Sequence, residues 1–159
     1  MTGNSGRTEQ KAAALPRRVL VCLDGSAPAE KVLPHVRKQA ELHGGRLTLL
    51  RVVEASERTG SVRRRAFAWS RQIEGGARSY LDRIASSLRE RGVSAESRVV
   101  SARRATAGEG ILSYADAHKM DLIALTTHGQ SGLAHSSAGS VSGYVMRHCR
   151  VPLLVLKLR

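Results

Sequence analysis

The amino-acid sequence predicts an α/β fold, a single doubly wound domain in which helices cover both faces of a parallel sheet. Short apolar segments of strand length alternate along the chain with segments whose apolar residues recur at helical spacing, which is the order typical of such a domain. The run Leu47 to Val53 lacks polar alternation, as expected for a strand buried on both faces, whereas Ser94 to Val100 alternates loosely and is expected to be more exposed. The 159 residues suit one domain with a real core. We expect a disordered N-terminal tail over 1–15 and one domain over 16–159.

Local breakers position the elements in the first half of the chain. Asp24-Gly25-Ser26 ends the first apolar run as a turn, and Pro28 suits the first turn of the helix that follows. Pro34 falls inside this helix and predicts either a kink or a later helix start. The segment 54–68 shows no clear period and is predicted to be a long basic loop. The predicted elements are a strand over 17–23, a helix over 28–43, a strand over 47–53 and this loop.

Helical periodicity identifies the longest element of the second half. Six apolar residues recur at helical spacing between 73 and 88, which predicts a long amphipathic helix that Gly92 closes. The run Asp121 to Leu125 predicts a buried strand in front of a glycine-rich segment. The remaining predicted elements are a strand over 94–100, a short helix over 111–118, a strand over 122–125, a helix from about 141 and a strand over 151–158.

The chain is strongly basic, with 26 Lys and Arg against 13 Asp and Glu and a formal net charge of +13. Such a charge suits a nucleic acid or another anion, whereas a bias toward Arg on solvated faces explains it without a ligand. The basic residues are spread along the chain, with one cluster at Arg63-Arg64-Arg65 and the aromatic Phe67 and Trp69 nearby. We favour the solvated-face interpretation, so nucleic acid is the disfavoured partner.

Several classes of site and segment have no pattern in the sequence. No apolar run approaches the roughly 20 residues that cross a bilayer, and the first residues lack the apolar segment of a secretion signal. We therefore expect no membrane partner and a cytoplasmic location. Cys22 and Cys149 match no metal-ligand spacing, and Cys22 is expected to be a small core thiol. The sequence also lacks a G-x-G-x-x-G turn, a P-loop and a G-x-S-x-G elbow.

The segment 126–140 is rich in glycine and hydroxyl residues, and it lies between an apolar run and a helical pattern. Glycines allow backbone amides to approach an anion, and a helix N-terminus adds unpaired donors. Gly129 and Gly132 give the segment that freedom. At its end, Gly139, Ser140 and Ser142 suit terminal phosphate oxygens, although a Gly/Ser helix cap without a ligand is the alternative.

Ligands of a parallel sheet bind beyond the carboxyl ends of the strands, where the strand order reverses. This rule brings Asp24, the second strand at Val52 and the segment 126–140 to one edge. The Asp24 carboxylate suits the hydroxyl pair of a ribose or a cap on the following helix. His128 is expected to orient the loop or to pack, because no second catalytic group has a place near it.

These features together resemble the universal stress protein family, of the adenine-nucleotide α-hydrolase-like superfamily, from about Arg17 to the C-terminus. The family's loop reads Gly, two residues, Gly, nine residues, then Gly followed by Ser or Thr. Here nine residues separate Gly129 from Gly139-Ser140. Thr126 stands at the first glycine, and Gln130 stands where many relatives carry a basic residue.

The resemblance implies the strand order 3-2-1-4-5 and a site for ATP or another adenine nucleotide, with Mg²⁺ on its phosphates. Asp24 would bind the ribose, with Cys22 and Leu23 beside the adenine, and the backbone of Val52 would bind the adenine. The implied binding residues are Cys22, Leu23, Asp24, Val52, Leu125, Thr126, His128, Gly129, Gly132, Gly139, Ser140, Val141 and Ser142.

The function that the resemblance implies is a stress-response or regulatory module without catalytic residues. ATP hydrolysis would be at most slow, and a protein partner of unknown identity would sense the bound state. Pairing of the last strands, over 151–157, would make a homodimer. The alternatives are a nucleotide-free dimeric interaction module, toward which Thr126 and Gln130 point, and, less favoured, a nucleic-acid- or anion-binding protein that uses the basic surface.

Overall fold

Five strands form a single parallel sheet in the order β3-β2-β1-β4-β5. The computed structural model describes residues 16–54, 63–102, 105–127 and 140–158, with side chains from 72 and 141 onward in the second and fourth ranges. The predicted fold class and strand order are confirmed. The strands are β1 (Arg18–Cys22), β2 (Arg46–Glu54), β3 (Ser94–Ala102), β4 (Leu122–Thr126) and β5 (Leu153–Leu156).

The helices agree with the sequence in number and order except in the first connection. Instead of one helix over 28–43, two helices follow β1. Pro34 explains the break, because its ring clashes with the carbonyl four residues earlier and it is tolerated only in the first turn of a helix. The helices are α1 (Ala27–Glu30), α2 (Leu33–His43), α3 (Arg63–Glu90), α4 (Ala107–Ala117) and α5 (Ser140–His148).

The prediction of a long loop over 54–68 is wrong in its second part. Helix α3 begins at Arg63, and residues 55–62 lie outside the described part of the chain. The segment 63–72 contains Arg, Ala and Gln, which favour helices, and it lacks Gly and Pro. Intrinsic propensity therefore extends the helix past the point where the apolar period fades.

Two apolar clusters sandwich the sheet. In β1, Val19 and Val21 face the cluster that α1, α2 and α3 cover, whereas Leu20 faces the cluster that α4 and α5 cover. All three side chains are fully buried, because successive residues of a central strand point to opposite, equally covered faces. Among the described helices, none is long and apolar enough to cross a membrane.

Candidate functional site

The strand order reverses between β1 and β4, and we call the switch point at the carboxyl ends of these strands the crevice, because sheets of this type open there. The two strands are paired as far as Val21 and Ala124. Beyond that pair, Cys22 and Leu23 continue on one side, and Leu125 and Thr126 on the other. This is the position at which doubly wound sheets bind their ligands, and the sequence analysis assigned all four residues to it.

Asp24 is held in place by the residue that caps α1. Its Oδ1 atom accepts hydrogen bonds from the amide and the hydroxyl of Ser26, over 2.9 and 2.6 Å. The Ser26 hydroxyl oxygen in turn accepts the amide of Ala29, over 3.2 Å, so that Ser26 is the N-cap of α1. The carboxylate therefore braces the cap, and the turn fixes it at the mouth of the crevice.

The Arg51 side chain lies beside Gly25 in this turn, which the sequence analysis missed. Gly25 has a φ of +89°, in the left-handed region that favours glycine. A Cβ atom at Gly25 would lie 2.7 Å from the Arg51 Nη1 atom. The guanidinium group thus lies against the turn that carries Asp24 and adds a cation to this edge.

Tyr80 of α3 and Glu30 of α1 add two further polar groups beside Arg51. The Tyr80 hydroxyl donates to Oε1 of Glu30 over 3.0 Å, and the Arg51 guanidinium carbon lies 6.0 Å from the Tyr80 ring centre, within cation–π range. Burial, and secondly the hydrogen bond to Glu30, raise the pKa of Tyr80. Tyr80 therefore stays protonated and serves as a donor at neutral pH.

The signal that would have identified Arg51 is its place within an apolar run. It interrupts the sequence Leu47 to Val53, which otherwise reads as a fully buried strand. The paired part of β1 and β2 ends at Leu50, one residue earlier. A charge is tolerated at 51 because β2 passes the end of β1 there.

Val52 lies past the last residue of β2 that pairs with β1, as its predicted contact requires. On its other side it pairs with Val100 of β3. Its side chain packs toward α4, where a Cβ atom on Gly110 would lie 2.9 Å from the Val52 Cγ1 atom. Gly110 thus allows α4 to approach the strand closely beside the crevice.

Hydrogen bonds join the end of β4 to the strand β5 and to the helix α5. The Thr127 amide donates to the Leu156 carbonyl over 3.0 Å, and the Ser142 hydroxyl donates to the Thr127 carbonyl over 3.3 Å. Ser142, a predicted binding residue, is buried and joins the first turn of α5 to β4. Thr126 is buried as well, so the residue at the family's first glycine position packs within the fold.

Cys22 and Val141 lie on the α4/α5 side of the crevice. Both are partly buried against the same apolar cluster. Burial, and secondly the proximity of Cys149, raise the pKa of the Cys22 thiol to about 12. The Cys22 thiol is thus protonated and packs against the apolar cluster, as expected for a small core thiol. The described residues contain no cluster of His, Cys, Asp and Glu that could hold a metal ion.

Part of the predicted site falls outside the described residues. These predictions concern His128, Gly129, Gly132 and Gly139 in the loop, the side chain of Ser140, the tail over 1–15, and the side chains of Arg63-Arg64-Arg65, Phe67 and Trp69. Ser140 itself begins α5, as predicted. The described residues bring Asp24, Val52, Leu125 and Val141 to the same edge of the sheet.

Several solved structures share this fold over nearly the whole chain. The protein MJ0577 is 25% identical with a TM-score of 0.80, over 91% of this chain and 98% of that protein. The universal stress protein UspA from Lactobacillus plantarum is 20% identical with a TM-score of 0.79, over 87% and 95%. A universal stress protein from Arabidopsis thaliana with AMP bound is 17% identical with a TM-score of 0.64, over 91% and 93%.

The family model for universal stress proteins matches residues 16–157, which is nearly the entire predicted domain. Among curated proteins, none matches the chain. The family match spans the sheet, all five helices and the crevice between β1 and β4. The chain belongs to the universal stress protein family.

Proposed function

We propose that this chain binds an adenine nucleotide, ATP foremost, in the crevice between β1 and β4. The observation that carries the proposal is the Asp24 carboxylate, which Ser26 holds at the point where the strand order reverses. Relatives of the same fold have been solved with AMP, with dAMP and with cAMP. Their common part is an adenine nucleoside with one phosphate, which supports an adenine nucleotide as the ligand class.

The described residues fit the three parts of such a ligand. A carboxylate at the edge suits the ribose hydroxyls, and the Val52 backbone, past the end of pairing with β1, suits the adenine edge. The N-terminus of α5 at Ser140 supplies amide donors to phosphate oxygens. We propose that Mg²⁺ is held through the phosphates, where it would neutralise their charge.

We propose that the chain is a binding module and not an efficient enzyme. The described titratable side chains around the crevice include Cys22, Asp24, Glu30, Arg51 and Tyr80. Asp24 accepts hydrogen bonds from Ser26, and Glu30 accepts one from Tyr80. Tyr80 and Arg51 are donors and burial keeps the Cys22 thiol protonated, so none of the five suits a general base that activates water. ATP turnover would therefore be slow, and binding would serve as the signal.

Calorimetry on the nucleotide-stripped protein tests the proposal with Mg-ATP, ADP and AMP as ligands. We expect micromolar binding by the parent chain and a loss of at least about tenfold in affinity for Asp24→Ala, since a charge-assisted hydrogen bond contributes 1.5–3 kcal/mol. Glu41→Gln, an exposed change on α2, is the matched control and should bind as the parent does. No heat with any of the three nucleotides at millimolar concentration would overturn the proposal.

We further propose a cytoplasmic homodimer in which the edge strand β5 pairs with its copy. β5 ends the sheet, and an exposed strand edge invites pairing with another chain. Val155 and Leu156 are only partly buried and belong to neither core cluster. Sedimentation of Val155→Glu should give a monomer where the parent gives a dimer, with Ala117→Glu on α4 as control. A dimer that survives Val155→Glu would contradict the pairing.

A further inference from the structure

The sheet edge opposite the crevice carries exposed cations where each strand begins. Because all strands are parallel, their first residues and the ends of α2, α3, α4 and α5 meet at this edge. We call the six exposed cations within three residues of a strand start the basic edge. They are Arg17, Arg18, Arg46, Arg91, Lys119 and Arg150.

Lateral pairing brings cations that are distant in the sequence side by side. Arg18 and Arg46 are register partners on β1 and β2, and the Arg46 amide donates to the Arg17 carbonyl over 2.7 Å. Like charges at directly paired positions are destabilising. The five strands, about 4.8 Å apart, spread the cations over roughly 19 Å. The fold thus keeps a costly row of charge.

Among the described residues, few carboxylates neutralise this row. The ion pairs in this part of the chain are Arg37 with Glu41 and Arg98 with Glu96, and neither includes a cation of the basic edge. Two described carboxylates, Glu96 and Asp121, lie within three residues of a strand start, against the six cations. Glu96 is paired with Arg98, and Oδ2 of Asp121 accepts the backbone amides of Arg17 and Arg18, over 3.1 and 2.8 Å. The excess suits a ligand with several negative charges.

Two exposed imidazoles lie on the same edge, in matching arrangements at the ends of α4 and α5. His118 stacks on Tyr114 with ring centres 3.9 Å apart, and His148 stacks on Tyr144 at 4.2 Å. Each Nδ1–H donates to the carbonyl of its tyrosine, over 3.0 and 2.9 Å. These bonds fix the orientation of both rings. Planar exposed rings beside cations are the surfaces on which unpaired bases stack.

A cleft of about 220 Å³ opens beside His148, between the ends of α4 and α5. Its lining mixes the apolar Leu112, Ile123 and Val151 with the polar His148 and Arg150. One carboxylate, Asp116, also belongs to the lining. Apolar side chains with a cation and an imidazole beside them suit a nucleobase with its phosphate, whereas a bare inorganic anion would not use the apolar part of the lining.

We propose that the basic edge binds single-stranded nucleic acid, with phosphates on the cation row and bases against the imidazoles and the cleft. The spread of basic residues along the sequence favoured solvated faces, but the parallel sheet gathers six of them along one edge. Single strands suit the site better than duplexes because their bases are accessible for stacking. This activity is separate from nucleotide binding, which lies at the opposite edge.

Fluorescence anisotropy of a labelled single-stranded oligonucleotide of about 20 residues, titrated with the full chain, tests the proposal. We expect Arg46→Gln/Lys119→Gln/Arg150→Gln to weaken binding roughly tenfold or more and to lower the slope of log K against log salt by about 2. The control Lys31→Gln/Lys38→Gln/Arg78→Gln removes the same charge from exposed positions on other surfaces and should keep most of the affinity. A thermal melt of each variant verifies folding.

The contribution of the rings distinguishes base recognition from simple charge attraction. His118→Ala/His148→Ala should weaken binding of the oligonucleotide but not of inorganic polyphosphate of equal charge. Three outcomes would overturn the proposal. These are equal losses in the two charge variants, polyphosphate or vesicles with anionic lipid binding as tightly as the oligonucleotide, and no binding of the oligonucleotide at low salt.

Discussion

Asp24 and Ser26 are joined by two hydrogen bonds that end on the same carboxylate oxygen. The Ser26 hydroxyl donates to Asp24 and accepts the amide of Ala29, so one side chain closes the turn and begins α1. Loss of the Asp24 carboxylate removes both the charge at the crevice and the brace on the turn, whereas loss of the Ser26 hydroxyl removes the cap and keeps the charge. The Ser26 variant therefore shows how much of any effect at Asp24 comes from stability alone.

We expect Ser26→Ala to lower the free energy of unfolding by about 1 kcal/mol, because an N-cap that cannot accept a hydrogen bond costs 0.5–2 kcal/mol. Urea unfolding followed by circular dichroism measures the change. Ser113→Ala, at an exposed position on α4, is the control and should change stability by less than about 0.5 kcal/mol. A Ser26→Ala protein as stable as the parent would mean that the cap contributes nothing.

Two helical glycines should respond in opposite directions to the same substitution. A Cβ atom on Gly108 would lie 2.7 Å from Cδ1 and 3.1 Å from Cβ of Tyr144, so Gly108→Ala would push α5 away from α4. We expect a loss of about 1–3 kcal/mol, the cost of overpacking. Gly76 in α3 has open space around it, and Gly76→Ala should add about 0.5–1 kcal/mol. Thermal melts of the two variants compare them, and a shift of the same sign in both would contradict the packing argument.

Cys22 should make the protein less stable in alkali. The folded state holds its pKa near 12, against 9.0 for an ordinary thiol, so the unfolded chain loses this proton first. The stabilisation is complete below pH 9 and is lost between pH 9 and 12. In Cys22→Ser, the free energy of unfolding should fall less steeply above pH 9, by up to about 1.4 kcal/mol per pH unit. Cys149→Ser removes only the smaller of the two causes and should change the alkaline slope less than Cys22→Ser does. Identical alkaline slopes for parent and Cys22→Ser would refute the assignment.

Glu109 should affect stability at acid pH, because its pKa is lowered in the folded state whereas that of Cys22 is raised. The amide and then the hydroxyl of Thr106 donate to its carboxylate and lower its pKa below 4.5. A group with a depressed pKa stabilises the fold above its ordinary pKa, and this contribution is lost as the pH falls through the folded value. Glu109→Gln should thus show a shallower loss of stability below pH 4.5. The measurement is urea unfolding between about pH 3 and 6, and an unchanged acid slope would exclude the capping role.

Buried elements were predictable from the sequence because burial leaves a local trace. The run around Val19 to Val21 lacks polar alternation, and that pattern alone indicates a strand covered on both faces. The strand order came from the family resemblance. The start of α3 escaped prediction, because residues 63–72 continue the helix through propensity without an apolar period.

Contacts between neighbouring strands leave no pattern in the sequence of either strand, and for this reason the sequence analysis missed them. Arg51 belongs to the site because β2 extends past the end of β1 and brings the Arg51 side chain beside Gly25. Arg18 and Arg46 are register partners although 28 positions separate them. Such pairs arise from strand order and register, which a period along one segment does not encode.

On one edge β1 pairs with β2, the next strand in the sequence. On its other edge β1 pairs with β4, which lies about a hundred residues later. During synthesis, β1, β2 and β3 can associate while residues of β4 are still being added, since domains form from the N-terminus onward. Over that interval β1 is an edge strand of a partial sheet, with Val19 and Val21 in the row that will face β4. An unpaired apolar edge of this kind can pair with another chain and so lead to aggregation. Pairing of β4 with β1 removes this edge and protects the newly made chain.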